Sequence, residues 1–329
     1  METKENHSFV KGLSTRLLGV KVNGDETKKI VSDINDHFLK IIGITERIED
    51  IDHLAGTPTK TGIALSFNHA ADCLLDYIRT EKFLKGFVSA IKNKQEEHPN
   101  ETIQIFYAGC GPLAPFVTLV APLFTPEEVQ FSLLEINNKS LRAAKKLIKG
   151  LGLTEYIQNY YLADAITFDI PNPEKIHILF SETLDALLHR ECYVPILWNL
   201  LPQIPKETLV IPENVQIKVN YKKEGQKEGE ETFGKVVFDT RKALAEVEKT
   251  DTLPEKLLPT FLSLEDAEQY FSIVVDTEVQ IYEDIILTRS ESSLTLAIEI
   301  PIQKPITHKG VDFVYHLTPT PSLKLVMVE

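Results

Sequence analysis

Between Thr102 and Pro212 short apolar runs alternate with a helix-period segment, and this alternation constrains the fold more than any other feature of the chain. IQIFYAG, VQFSLLEI, KIHILFSE and TLVIP read as strands, and KSLRAAKKLIKGLG reads as a helix closed by Gly150 or Gly152. Strands apolar along their length need cover on both faces, which a mostly parallel sheet flanked by helices provides. The flanking regions differ in texture. Residues 1–100 carry helix-period apolar positions in IVSDINDHFLKIIGI and HAADCLLDYIRTEKFLKGFVSAI, interrupted by the turn-forming stretch AGTPTKTG. Beyond Pro212, VQIKVNY, KVVFDT, YFSIVVDT, VQIYEDIILT, LTLAIEI, VDFVYHL and LKLVMV are β-rich and often alternate in polarity.

The expected organisation is therefore a helical region over 1–100, an α/β unit over 101–212 and a β-barrel-like or sandwich unit over 213–329. Within the last, RKALAEVEK and PEKLLPTFLSLEDAEQY are expected as inserted helices, and KKEGQKEGEET as a solvated loop. No internal repeat is present. Trp198 and Tyr193 are expected in the core.

The net charge of −13 argues against a nucleic-acid partner, because phosphate binding needs Lys and Arg in excess. It suits a cationic substrate or cofactor through long-range steering. Cys73, Cys110 and Cys192 are too scattered for a disulfide framework or a metal cluster, which implies a reducing compartment and no metal. The opening METKENHSFVKG has no apolar run after its charges, and no stretch approaches the roughly 20 apolar residues that span a bilayer. A soluble, cytoplasmic protein without a membrane partner is expected.

The densest chemical signal is IQIFYAGCGPLAPF, where Gly109 and Gly111 follow a buried strand at the turn into a helix. Glycine there lets the backbone approach a ligand, at a spot where helix amides point outward. The next strand ends in LLEIN, placing Glu135 at its tip, 26 residues after Gly109. An acidic residue at that position can hold both ribose hydroxyls of an adenosine. After the third strand, YLADAITFDI offers Asp164 for the adenine amino group. GCGPLA is also one step from the dinucleotide fingerprint, with Ala114 in the sixth place, but no second dinucleotide half follows. The order of signals is similar to the class I S-adenosylmethionine-dependent methyltransferases.

The fourth strand runs into LFSETLDALLHRECYVPIL, where Glu182 and Glu191 stand nine residues apart across an apolar turn. With Ser181, this arrangement resembles the paired-glutamate loop of the protein arginine methyltransferases. DYIRT supplies Asp76, Arg79 and Thr80 in the family's D-x-x-R-T pattern. PITHKG supplies Thr307 and His308 of its Thr-His-Trp loop, with Lys309 in place of the tryptophan. LVIPENVQIKV is similar to the family's passage into its barrel. The resemblance runs from about residue 65 to 329, although the family's aromatic N-terminal helix motif is not evident and GCGPLAPF departs from GCGTG.

The resemblance implies a Rossmann-like class I methyltransferase domain with N-terminal helices, followed by a C-terminal β-barrel-like domain. It implies S-adenosyl-L-methionine bound by Arg79, Gly109, Cys110, Gly111, Glu135, Asp164 and Ala165, with Arg79 on the methionine carboxylate. Glu182 and Glu191 would clamp a guanidinium, and His308 facing Asp76 would accept a proton or hold the two domains in register. The substrate would be arginine in a peptide or protein, free arginine or a small guanidine, and the assembly a homodimer. Methylation of another small-molecule amine or hydroxyl, and a non-catalytic cofactor-binding scaffold, are the alternatives.

Overall fold

The computed structural model describes residues 2–19, 24–44, 54–190, 192–246 and 252–329. Its centre is a five-stranded sheet, preceded in the chain by a small hairpin of β1 (Thr57–Pro58) and β2 (Ile63–Ala64). The sheet comprises β3 (Ile103–Ala108), β4 (Val129–Glu135), β5 (Ile157–Leu162), β6 (Ile178–Ser181) and β7 (Leu209–Ile211), in the order β5-β4-β3-β6-β7. Every neighbouring pair is parallel. Chain order reverses between β3 and β6, so the crevice beyond their C-terminal ends is where such a sheet takes a ligand. All four β6 residues are buried, as a continuous apolar strand covered on both faces requires.

Helices Glu2–Leu18, Gly24–Ile42 and Tyr77–Glu97 supply much of that cover. Phe83 and Phe87 of the last are fully buried; both pack on Phe180 of β6. The run HAADCLLDYIRTEKFLKGFVSAI is broken at Asp76, between Phe67–Asp72 with its following turn Cys73–Leu75 and the long helix Tyr77–Glu97. Helix Asn138–Gly150 ends before Gly152, whose φ of 70° only glycine adopts freely, so Gly152 is the stop. No helix of the described residues is long and apolar enough to cross a membrane.

The second half is antiparallel. One sheet joins β8 (Asn214–Lys222), β9 (Thr232–Asp239), β11 (Ser272–Tyr282), β12 (Ile285–Leu287) and β13 (Ile298–Pro301); the other joins β10 (Thr260–Ser263), β14 (Gly310–His316) and β15 (Ser322–Val328). The runs YFSIVVDT and VQIYEDIILT contribute to one long β11, which pairs with β8 over nine register positions.

Local expectations change at PEKLLPTFLSLEDAEQY, KKEGQKEGEET and Trp198, and hold at RKALAEVEK as far as it is described. PEKLLPTFLSLEDAEQY forms no α-helix: Pro259 precedes β10, and the rest makes only the single turn Ala267–Gln269. RKALAEVEK is helical over Thr240–Ala245, and Val247 to Lys249 lie outside the described residues. KKEGQKEGEET does connect β8 to β9, but Glu231 at its end is only 5% exposed and is paired with Arg289. Tyr193 is a core residue at 1% exposure, whereas Trp198 is half-buried and lines a groove.

Candidate functional site

Four of the five parallel strands deliver residues to one cavity at their C-terminal ends. β3 leads into Gly109, Cys110 and Gly111; β4 ends in Glu135; Asp164 and Ala165 follow β5; and Glu182 follows β6. The hairpin β1–β2 and helix Phe67–Asp72 close the other side with Thr59, Ile63, Ala70 and Cys73. Helix Tyr77–Glu97 inserts Arg79. The cavity thus collects all seven residues expected to hold the cofactor, together with Glu182.

Gly109 has φ 77°, and a Cβ on it would collide with the methyl group of Thr183, so the strand end can pass only as glycine. The Gly111 amide donates to Glu135 Oε2 at 2.8 Å, while Oε1 accepts the Asn137 amide at 2.8 Å. These bonds fix the Glu135 carboxylate at the strand tip and leave lone pairs for a ligand. Burial lifts its pKa above the ordinary value, and the backbone amides oppose that rise. The helix after the glycine turn, Pro115–Thr118, is a single turn, and all three of the turn's amides are already committed, those of Gly109 and Cys110 to Leu134 O and that of Gly111 to Glu135. The turn therefore works by close backbone approach more than by an extended helix terminus.

Asp164 is similarly fixed: Oδ2 accepts the Lys60 amide at 2.7 Å and Oδ1 the Ile166 amide at 2.9 Å. Cys192 donates its thiol to Thr61 O at 2.9 Å, and Cys110 is buried with its pKa raised by desolvation and then by Glu135. The three cysteines, 119 positions apart from first to last in the chain, all border this one cavity. Parallel strand ends gather residues that are remote in sequence, so spacing gave no sign of it.

Inside the cavity Arg79 Nη2 contacts Glu182 Oε1, with side-chain exposures of 6% and 7%. The site thus already holds one guanidinium against the carboxylate expected to receive another. Desolvation raises the pKa of Glu182; Arg79 opposes the rise and Asp76 adds to it. The carboxylate is thus one whose burial its partner does not fully offset.

The loop after Glu182 is strained. Leu187, Leu188 and Arg190 have φ of 55°, 54° and 67°, a region costing β-carbon-bearing residues on the order of 1–3 kcal/mol each. Its anchors come largely from the antiparallel half. The Leu187 amide donates to Thr277 Oγ1 at 2.8 Å, Tyr315 Oη donates to Leu188 O at 2.9 Å, and the Arg190 amide donates to Pro321 O at 2.8 Å. Reading the sequence missed these three positions, for nothing in their neighbourhoods marks them. Glu191 lies outside the described residues.

Asp76 and His308 are not brought together. Asp76 Oδ2 accepts Ser292 Oγ at 2.7 Å, the Ser293 amide at 2.9 Å and Ser293 Oγ at 2.9 Å. His308 precedes the start of β14, whose other end approaches the Glu182 loop; seven strand residues put roughly 20 Å between those ends. The segment of that sheet that reaches the site is Leu317–Pro321, where Pro319 O also accepts the Gly62 amide at 3.0 Å. Antiparallel pairing of β14 with β15 puts the 317–321 turn, not the 302–309 connection, at that end.

A separate cluster, His98, Glu101 and His177, has metal-ligand atoms within 4.8 Å of one another. His177 Nδ1 accepts the Gln104 amide at 3.0 Å, so the ring proton sits on Nε2, facing Glu101 Oε2 at 3.6 Å. That tautomer does not fit a cation.

No protein-family model and no curated protein matches the chain. Among solved structures it is similar to the Trypanosoma brucei PRMT1 enzyme–prozyme heterotetrameric complex with AdoHcy, at 12% identity and a TM-score of 0.48, covering 80% of this chain and 98% of that one. It is also similar to protein arginine methyltransferase 10 of Arabidopsis thaliana, at 12% identity and a TM-score of 0.47, with the same coverages.

Proposed function

We propose that the protein is an S-adenosylmethionine-dependent N-methyltransferase acting on a guanidino group, in a peptide or protein or as a small guanidine. The observation that carries this reading is the buried Glu182 carboxylate, placed at the sheet's switch point and already gripping a guanidinium.

The donor set suits the cofactor. Glu135 would take the ribose hydroxyls, Asp164 and Ala165 the adenine edge, Gly109 to Gly111 the close-approaching middle, and Arg79 the methionine carboxylate. The cavity measures about 110 Å³, below the roughly 300 Å³ at which ligand pockets begin. Binding would therefore displace the hairpin β1–β2 outward and separate Arg79 from Glu182.

When bound, the cofactor supplies an electrophilic methyl group. The chain's part is positioning. A guanidinium stays protonated and is a poor nucleophile, so it is oriented rather than deprotonated beforehand. Glu182, released from Arg79, would accept N–H donors of the substrate and hold its plane; Glu191 is its expected second partner. Alignment of this kind contributes about 7 kcal/mol or more in favourable systems. The strained loop anchored by Thr277, Tyr315 and Pro321 keeps that alignment rigid.

Transfer of labelled methyl to arginine-bearing peptides, free arginine, amines and alcohols tests the reading. Guanidino compounds are expected as acceptors, and Glu182→Gln should lower turnover about 10²–10³-fold, the loss typical of a preorganised electrostatic group. Cofactor affinity in that variant should hold within a factor of about three, which is under 1 kcal/mol. Methyl transfer to oxygen nucleophiles alone, or undiminished turnover in Glu182→Gln, would reject the guanidinium assignment.

A further inference from the structure

Arg79 stands in the first turn of helix Tyr77–Glu97, the part of a helix whose amides lack intrahelical acceptors and which frays most easily. Its backbone is nonetheless fastened on both sides from the antiparallel half. Three residues earlier, Asp76 occupies the N-cap position, where a carboxylate ordinarily accepts the helix's own amides. Its Oδ2 is given instead to Ser292 Oγ at 2.7 Å, the Ser293 amide at 2.9 Å and Ser293 Oγ at 2.9 Å. Three residues later, Lys82 Nζ donates to Glu291 Oε1 and Oε2 at 2.6 and 2.7 Å and to Ile286 O at 2.7 Å. Residues three apart are neighbours on a helix surface, so the two fastenings bracket Arg79.

The fastening segment is itself well braced. Glu291 Oε2 also accepts the Thr288 amide at 2.7 Å and Thr288 Oγ1 at 3.0 Å. Ser292 and Thr295 form a capping box, the Leu294 amide donating to Ser292 Oγ at 3.1 Å and the Ser292 amide to Thr295 Oγ1 at 3.2 Å. The turn Ser293–Thr295 lies against Ala186–Leu188, in the loop that follows Glu182. One segment therefore touches both the helix that carries Arg79 and the loop that leaves Glu182. A long, flexible arginine delivers its head group reproducibly only when its surroundings hold it to within roughly 0.5 Å. We propose that the segment Glu291–Thr295 is a positioning element for the cofactor, an inference that rests on the methyl-transfer reading above. It keeps the Arg79 backbone fixed, so that the guanidinium passes from Glu182 to the cofactor's carboxylate by side-chain rotation alone. Ser293 and Glu291 are its positioning residues, and they act through Arg79.

The double variant Ser293→Ala, Glu291→Gln removes one donor from Asp76 and the charge that meets Lys82. In calorimetry on the whole protein it should bind S-adenosylmethionine about tenfold more weakly, as loss of one hydrogen bond and one part-exposed ion pair gives. Charge alone predicts the reverse, because losing Glu291 leaves Lys82 to attract the cofactor's carboxylate. Methylthioadenosine keeps the adenosine and the thioether but has no carboxylate for Arg79, and its affinity should stay within about twofold. Ser293→Thr, which retains the hydroxyl, should bind both as wild type does. Hydrogen exchange gives a readout that needs no cofactor. In the double variant the amides of Thr80 to Phe83 should exchange about tenfold faster, and those of Ala90 to Lys94, farther along the same helix, at the wild-type rate. Should the double variant melt too early, Ser293→Ala alone, at an exposed position, carries the same readouts at about threefold. Undiminished S-adenosylmethionine affinity, equal weakening of methylthioadenosine, or unchanged exchange at Thr80 to Phe83 would overturn the assignment. A wild type that binds neither nucleoside strikes the methyl-transfer reading instead, and the exchange result still decides whether the segment holds Arg79 in place.

Discussion

Two buried guanidinium–carboxylate clusters sit in the two halves of this molecule, and they are built to opposite ends. In the antiparallel half Arg289 engages Asp276 through Nε and Nη2 and reaches Glu231 through Nη1 at 2.7 Å. Asn220 adds a bond to Asp276 at 2.7 Å, and the Gly229 amide adds one to Glu231 at 2.9 Å. Although burial pushes Glu231 up, those amides and Arg289 hold its carboxyl below the ordinary value. In the parallel half Arg79 meets Glu182, and burial prevails there, so that carboxyl lies above the ordinary value. A charge pair that only has to hold a fold together collects enough partners to offset its desolvation. At Glu182 burial outweighs the ion pair, and under the methyl-transfer reading proposed above that residual cost would ease an exchange of partners.

Breaking each cluster should therefore give different losses. Arg289→Met leaves two buried carboxylates without a cation and should cost about 3–5 kcal/mol, read as a lower urea midpoint, with cofactor affinity per folded molecule unchanged. Equal loss of stability from Arg79→Met would erase the distinction. Thr277→Val, which removes the hydroxyl holding the Leu187 amide, should cost about 1–3 kcal/mol of loop order and appear chiefly as reduced turnover at saturating cofactor.

The pH dependence sharpens the comparison further. Glu182 and Glu135 have folded-state pKa values above the 4.5 of the unfolded chain, so their contribution to stability is fullest in acid and declines as pH rises from 4.5 through the raised values. Glu231 is shifted the other way; its contribution is present above 4.5 and is lost as pH falls through its lowered value. Under the proposed reading, in which a charged Glu182 holds the substrate, turnover should fall as acid is added through its raised pKa. Unfolding midpoints and turnover measured across the same pH range should therefore diverge in wild type, and Glu182→Gln should remove part of that divergence. The smallest effect is expected at His308, remote from the cavity: His308→Ala should keep turnover within about twofold, under 0.5 kcal/mol.

Much of the parallel half was legible because its signals are local. A continuous apolar run ending in Gly-Cys-Gly, and another ending in glutamate, each declare a strand and its C-terminal tip within a few residues. Since parallel strands all end on one side, naming the tips was enough to bring Gly109, Glu135, Asp164 and Glu182 together. The antiparallel half was harder. Its strands could be recognised, but which hairpin end faces the cavity depends on strand count and register, and Thr-His at 307–308 lay at the wrong end while 317–321 lay at the right one.

What the amino-acid order determined alone is therefore the list of strand tips, their chemistry and the glycine that lets the chain turn out of β3. Tertiary structure alone decided that Arg79 holds Glu182, that Asp76 belongs to Ser292 and Ser293, that Glu231 is buried rather than solvated, and that three dispersed cysteines share one cavity. The physical reason is range. Strand propensity and backbone conformation are set by neighbours a few residues away, whereas the partner of a buried charge is set by whichever side chains packing brings within about 4 Å, from any distance along the chain.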